Sequence, residues 1–129
     1  MSGAGESGPA AFTAFRQQMN ARILDEPNQV IRRFFALDTQ SYQPGALDAK
    51  TKELLGLVAS LVLRCDDCIS YHIAQCHKAG ANREELFETF SIGLVVGGSI
   101  VIPHLRRAVA FLDQLQQGAV TEPSAHSHV

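Results

Sequence analysis

The sequence predicts an all-α domain of about six helices that assembles as a homo-oligomer. Apolar residues recur at three- and four-residue spacing in almost every stretch between residues 9 and 117, which is the helical period. No segment shows the strict alternation of a half-buried strand. Two apolar runs, LLGLVASLVL at 54–63 and IGLVVGGSIVI at 92–102, have no evident polar face, and a helix apolar all round has to be buried. A chain of 129 residues makes one domain that can surround one such element but hardly two. The surplus apolar surface is therefore expected to meet another subunit.

The elements follow in order. A first helix over about residues 10–25 carries Phe12, Phe15, Met19 and Ile23 on one stripe and is limited by Pro27. A second carries Val30, Ile31, Phe34 and Phe35 and ends before SYQPG. Asp48 can cap the third, about 49–63, by accepting a bond from a free backbone N–H. The fourth holds RCDDCISYH at 64–72 and stops at Gly80, a residue suited to a left-handed turn. Asn82 and Glu85 form a capping-box pattern that opens a fifth helix with Leu86, Phe87 and Phe90, loosened or ended by Gly97 and Gly98. A last helix from near Pro103 shows Leu105, Val109 and Leu112 and ends by Gly118. The folded domain is thus expected over 9–117, with loose ends at 1–8 and 118–129, the latter including His126 and His128.

Composition narrows the function. A net charge of -2, with HLRR at 104–107 as the one basic knot, argues against nucleic-acid binding, which rests on phosphate neutralisation. Both apolar runs fall short of the roughly 20 residues that span a bilayer. MSGAGESGPA lacks the basic start, apolar stretch and cleavage site of an export signal, so a cytoplasmic location is expected. Three cysteines in that compartment are reduced at rest, and a close pair there reads as catalysis, sensing or metal binding rather than as a structural staple.

On a helix, Cys65, Cys68 and His72 share one face, continued by Cys76. Zinc is one reading, with His77, His104 or solvent as a further ligand. Cys65 and Cys76 lie about 16 Å apart along the axis, however, and the second ligand half usual in structural zinc sites is missing. Two inert buried thiols are the plain alternative. A redox pair needs a thiolate. The helix N-terminus favours one by about 0.3–1 kcal/mol, while Asp66 and Asp67 each oppose it by about 0.7 kcal/mol at about 6 Å in water, and Arg64 offsets one of them. These terms nearly cancel, so a base held against one sulfur decides. His72, one turn after Cys68, is placed for that, which favours Cys68 as attacker with Cys65 as partner; helix-end electrostatics alone would choose Cys65.

Glu53, Cys65 twelve residues on, Cys68 three later and His72 four later, set in LDAKTKELLGLVASLVLRCDDCISYHIAQCHKAGANREEL, resemble the carboxymuconolactone decarboxylase family in its alkylhydroperoxidase D-like branch. The resemblance covers roughly residues 28–115. It implies an all-helical fold assembling as trimers or hexamers, and peroxidase and disulfide-exchange chemistry without metal or haem. It further implies that Cys68 attacks a hydroperoxide or disulfide substrate, Cys65 resolves it, and His72 with Glu53 forms a proton relay. An external dithiol, a lipoyl group on a partner protein in the best-known enzymes, then reduces the pair. Those enzymes carry a histidine just before the second cysteine, where this chain has Asp67. A lactone decarboxylase or related lyase is the alternative that the family name invites, although such relatives generally lack the CxxC pair; a non-catalytic oligomeric or zinc-binding module is a third.

Read without the family, Glu53 is a solvated helix residue. In a simple antiparallel hairpin of the third and fourth helices it falls level with about residue 77, roughly 7 Å past His72. Cys76 is expected in the core. His104 is expected to be structural, with a pocket or interface position as the alternative.

Overall fold

A computed structural model describes residues 8–118; the expected loose ends, with His126 and His128, lie outside the described residues apart from Gly8 and Gly118. Six α-helices and one short 3-10 turn make up the regular structure, and no strand occurs among the described residues. In chain order they are α1 (Pro9–Leu24), α2 (Gln29–Ser41), α3 (Ala49–Leu63), α4 (Asp66–Lys78), α5 (Arg83–Gly97), the 3-10 turn (Ser99–Val101) and α6 (Ile102–Gln117). Among the described residues no helix is long and apolar enough to cross a membrane.

Local chemistry sets the helix ends. Asn28, Asp48 and Asn82 each accept a bond from a backbone N–H in the first turn of α2, α3 and α5, filling donors that a helix leaves open. At α5 the Glu85 side chain reaches back to the Asn82 N–H, completing the capping box. The α4 helix closes at Ala79, followed by Gly80 at φ +92°.

The core is built by α3, α4, α5 and α6. Helix α3 packs on α4 and α5, and α4 on α6, burying Leu57, Leu61, Ile69, Ile73, Leu86, Phe90 and Leu112. Where α3 crosses α5, a Cβ on Gly93 would stand 3.2 Å from Leu61 Cβ and Cδ1, so the two backbones meet closely there. Cys76 is fully buried in this core, as expected.

The outer surface differs from the periodicity reading. The α1 stripe does not enter the core: Phe12 meets the Phe111 ring edge-on, but Phe15, Met19 and Ile23 stay substantially exposed. Helix α2 buries none of its residues, and Val30 and Phe34 are mostly exposed. Apolar spacing marks a helix face, but it does not say that this chain alone covers that face. The two runs without a polar face also remain partly bare, Leu63 being 76% and Val95 83% exposed.

The joint between α3 and α4 positions the cysteines. Arg64 takes a left-handed conformation (φ 60°, ψ 44°) and is the only non-glycine residue with positive φ among the described residues. Its N–H and that of Cys65 return to Leu61 O and Ser60 O at 3.0 and 3.1 Å, closing α3 and leaving Cys65 as the N-cap of α4. Leu61, at the centre of the packing, gives the test of this core: Leu61→Ala is expected to lower unfolding free energy by about 2–5 kcal/mol, measured by urea denaturation with helical circular dichroism as signal.

Candidate active site

Cys65 and Cys68 are joined as a disulfide with their Cα atoms 5.3 Å apart. Cys65 Sγ also accepts the Cys68 N–H at 3.3 Å, so the N-cap sulfur lies at the positive end of α4. Cys68 is exposed and Cys65 half-buried. Cys68 opens onto a cavity of about 560 Å³ that is also lined by His72 and Tyr71 of α4, Ser60 of α3, and residues of α1 and α2.

His72 and Glu53 are both buried, at 8% and 4% exposure, and His72 Nδ1 donates to Glu53 Oε1 at 2.8 Å. A carboxylate can only accept, so the partner fixes the proton on Nδ1 and leaves Nε2 as the basic atom. This overturns two expectations: Glu53 is not a solvated helix residue, and no 7 Å gap separates it from the ring. The imidazole lies over Gly56, where an added Cβ would come within 2.6 Å of His72 Cε1 and of the Tyr42 hydroxyl. In an antiparallel hairpin Gly56 stands nearly opposite residue 73, and Glu53 shares its face one turn away.

Tyr42 is a site residue that sequence reasoning missed. Its hydroxyl lies 3.4 Å from His72 Nε2, a long contact, and burial, then the charge of Glu53, push its pKa up to about 12. At neutral pH it is therefore a hydroxyl, able to donate to the basic ring nitrogen. Nothing in SYQPG signalled this, because the contact crosses thirty residues of chain. Cys76, whose thiol burial pushes up to about 12, takes no part in thiolate chemistry.

The HLRR segment also has a place. His104 Nδ1 donates to Asp66 Oδ1 at 2.8 Å and Arg107 Nε to Asp66 Oδ2 at 2.9 Å, tying α6 to the first turn of α4. Burial pushes the Asp66 carboxyl up, but the bond from His104 and the charge of Arg107 outweigh it and hold it below its ordinary 3.8. His104 is thus engaged with Asp66, beside the cysteines. No group of three or more His, Cys, Asp or Glu among the described residues is gathered as a metal site.

An all-helical chain with a CxxC pair at a helix start and a buried Glu–His pair behind it defines the class. The chain belongs to the carboxymuconolactone decarboxylase family, whose sequence model matches residues 28–111. Among solved structures, a carboxymuconolactone decarboxylase family protein of Thermotoga maritima, for which a part in an antioxidative response has been suggested, superposes with a TM-score of 0.80. It is 56% identical, over 83% of this chain and 91% of that one. A family member from Legionella pneumophila superposes at 0.74 with 28% identity, over 81% and 94%. An uncharacterized protein of Cupriavidus necator is 30% identical over 111 residues, 86% of this chain and 81% of its own length.

Two tests follow from this geometry. Replacing glycine by alanine within a helix ordinarily stabilises by about 1 kcal/mol; Gly56→Ala is expected to do the opposite and melt at a lower temperature, and an equal or higher Tm would contradict the slot. The Asp66 contact has a defined pH sign. A carboxyl held low in the folded state stabilises fully above its unfolded value and loses that contribution as pH falls through the folded one. The difference in urea stability between wild type and Asp66→Asn should be flat from about pH 5 to 7 and close toward about pH 3.

Proposed function

We propose that this protein is a thiol-dependent peroxidase and disulfide oxidoreductase. Cys68 is the attacking thiol, Cys65 the resolving thiol, and His72 with Glu53 the proton relay. One observation carries the reading: Cys68, bonded to Cys65, lines the same cavity as a histidine whose Nδ1 is held by a buried carboxylate. A carboxylate held out of water beside an imidazole is a poor stability device, since desolvating its charge costs several kcal/mol. A base oriented by a buried carboxylate and placed at a cavity beside a nucleophile is what catalysis requires. The antioxidative role suggested for the Thermotoga relative supports the same reading.

The chemistry balances as follows. His72 Nε2 takes the proton of the Cys68 thiol, and Glu53 stabilises the imidazolium. The thiolate attacks one oxygen of a hydroperoxide: an S–O bond forms, the O–O bond breaks, and the alcohol departs with the proton from His72. Cys65 then gives up its proton and attacks the Cys68 sulfenic acid: the S–S bond forms, the S–O bond breaks, and the departing hydroxide takes up that proton and leaves as water. An external dithiol, such as a lipoyl group on a partner protein, restores both thiols by two exchanges and becomes a disulfide itself. No metal or cofactor enters this cycle, and a disulfide substrate would use the same pair in the exchange steps.

The bare apolar side chains of α3 and α5, including Leu55, Leu63, Ile92 and Val95, support a homo-oligomer, a trimer or hexamer, as the working form. A monomeric mass in light scattering at micromolar protein would contradict that assembly.

Titrating free thiols before and after one equivalent of hydroperoxide tests the activity. Wild type should lose two thiols per chain, Cys68→Ser should lose none, and Cys65→Ser should stop at a sulfenic acid that a dimedone-type probe captures. His72→Ala should slow the reaction by about 10²-fold. Equal rates in wild type and Cys68→Ser would overturn the proposal.

A further inference from the structure

Asp67 stands directly before Cys68, and at about 6 Å in water its charge raises the cost of a neighbouring thiolate by about half a pH unit. The relay through His72 acts on the sulfur from the other side along the helix. The structure brings a second cation toward the same turn from a different element. Arg16 of α1 projects into the cavity, its Cζ 3.8 Å from the centre of the Tyr71 ring. Tyr71 follows Cys68 by one helical turn, and side chains at that spacing are neighbours. Arg16, Tyr71, Asp67 and Cys68 all line the one cavity, and among the described lining residues Arg16 is the only arginine or lysine.

Two of the other ionisable groups near Cys68 are engaged by neighbouring elements. On its own helix, Asp66 is engaged by His104 and Arg107 of α6, and His72 by Glu53 of α3. Helix α2 contributes the Asp38 carboxylate to the cavity. Burial draws the Arg16 pKa below its ordinary 12.5, against the opposing charges of Tyr71, Asp67 and Asp38; a guanidinium remains a cation there. A flat guanidinium also stacks on an aromatic face better than an ammonium, so its place is fixed.

We propose that Arg16 is an electrostatic positioning residue for Cys68: stacked on Tyr71, it offsets the Asp67 carboxylate so that the cavity around the attacking sulfur tolerates a negative charge. This rests on Cys68 being the nucleophile. It extends the site to α1, which lies outside the stretch of chain matched by the family. It also gives the acidic residue next to the thiol a compensating cation in the same cavity.

The test follows the pH dependence of Cys68 alkylation by iodoacetamide in a Cys65→Ser background. Buried Cys76 does not compete there. Arg16→Gln should raise the midpoint by about half a unit, Arg16→Lys should recover most of the shift, and Arg16→Gln/Asp67→Asn should return close to the parent. Asp67→Asn alone should lower the midpoint, which keeps the test alive if Arg16→Gln does not fold. An acidic parent midpoint that neither Arg16→Gln nor Asp67→Asn moves overturns the role of Arg16 and leaves the peroxidase reading standing. A parent midpoint at the ordinary thiol value of about 8.5, with no hydroperoxide consumed, overturns both.

Discussion

The hydrogen bond between His72 Nδ1 and the Glu53 carboxylate is the constraint around which the rest of the site is arranged. Both groups are removed from water, and a buried ionisable pair is tolerated only when the geometry leaves little unsatisfied. Three features of the fold meet that demand. Helices α3 and α4 are joined tightly through the left-handed Arg64, which limits how far the two faces can slide. Gly56 leaves the space that the imidazole occupies. Tyr42 approaches the remaining ring nitrogen from the end of α2. A side chain at position 56 would displace the ring, and with it the imidazole that lines the cavity of Cys68.

The two cysteines and the two aspartates that follow Cys65 are sorted by position. Cys65 caps α4, where backbone N–H groups favour negative charge; in the proposed cycle this suits the sulfur that leaves when the disulfide is reduced. Cys68 is the exposed one and opens onto the cavity, which suits the attacking role proposed for it. Asp66 turns toward α6 and is bound by His104 and Arg107, so its charge is held away from the cavity. Asp67 faces the cavity with Arg16 of α1. The charge balance that is near zero when counted along the segment is, in three dimensions, split between Asp66 with His104 and Arg107 on one side and the cavity that Asp67 shares with Arg16 on the other.

Much of this was legible in the sequence and some was not, for a consistent physical reason. Asp48, Asn82 with Glu85, Gly80 and Gly98 speak to the backbone within a few residues, so the helix ends could be read from the chain. The spacing of Cys65, Cys68 and His72 fixes one face of one helix and was equally readable. Glu53 was named through its resemblance to a family pattern, whereas its burial depends on where α3 lies against α4, and a level-counting estimate left it several ångströms short. Tyr42, Arg16 and the partners of Asp66 act across 30 to 55 residues of sequence, and no local pattern marks such contacts. The α1 and α2 stripes mark a limit of another kind, because hydrophobic periodicity identifies a face without saying what covers it.

The most direct measurement is the second-order rate of hydroperoxide reduction by Cys68 as a function of pH, in wild type and in Glu53→Gln. The account predicts that wild type reaches half its maximal rate well below the ordinary thiol value of about 8.5, and that losing the carboxylate moves this midpoint toward that value and slows the reaction at neutral pH. Superimposable profiles with an ordinary midpoint would show that the buried pair does nothing for the sulfur.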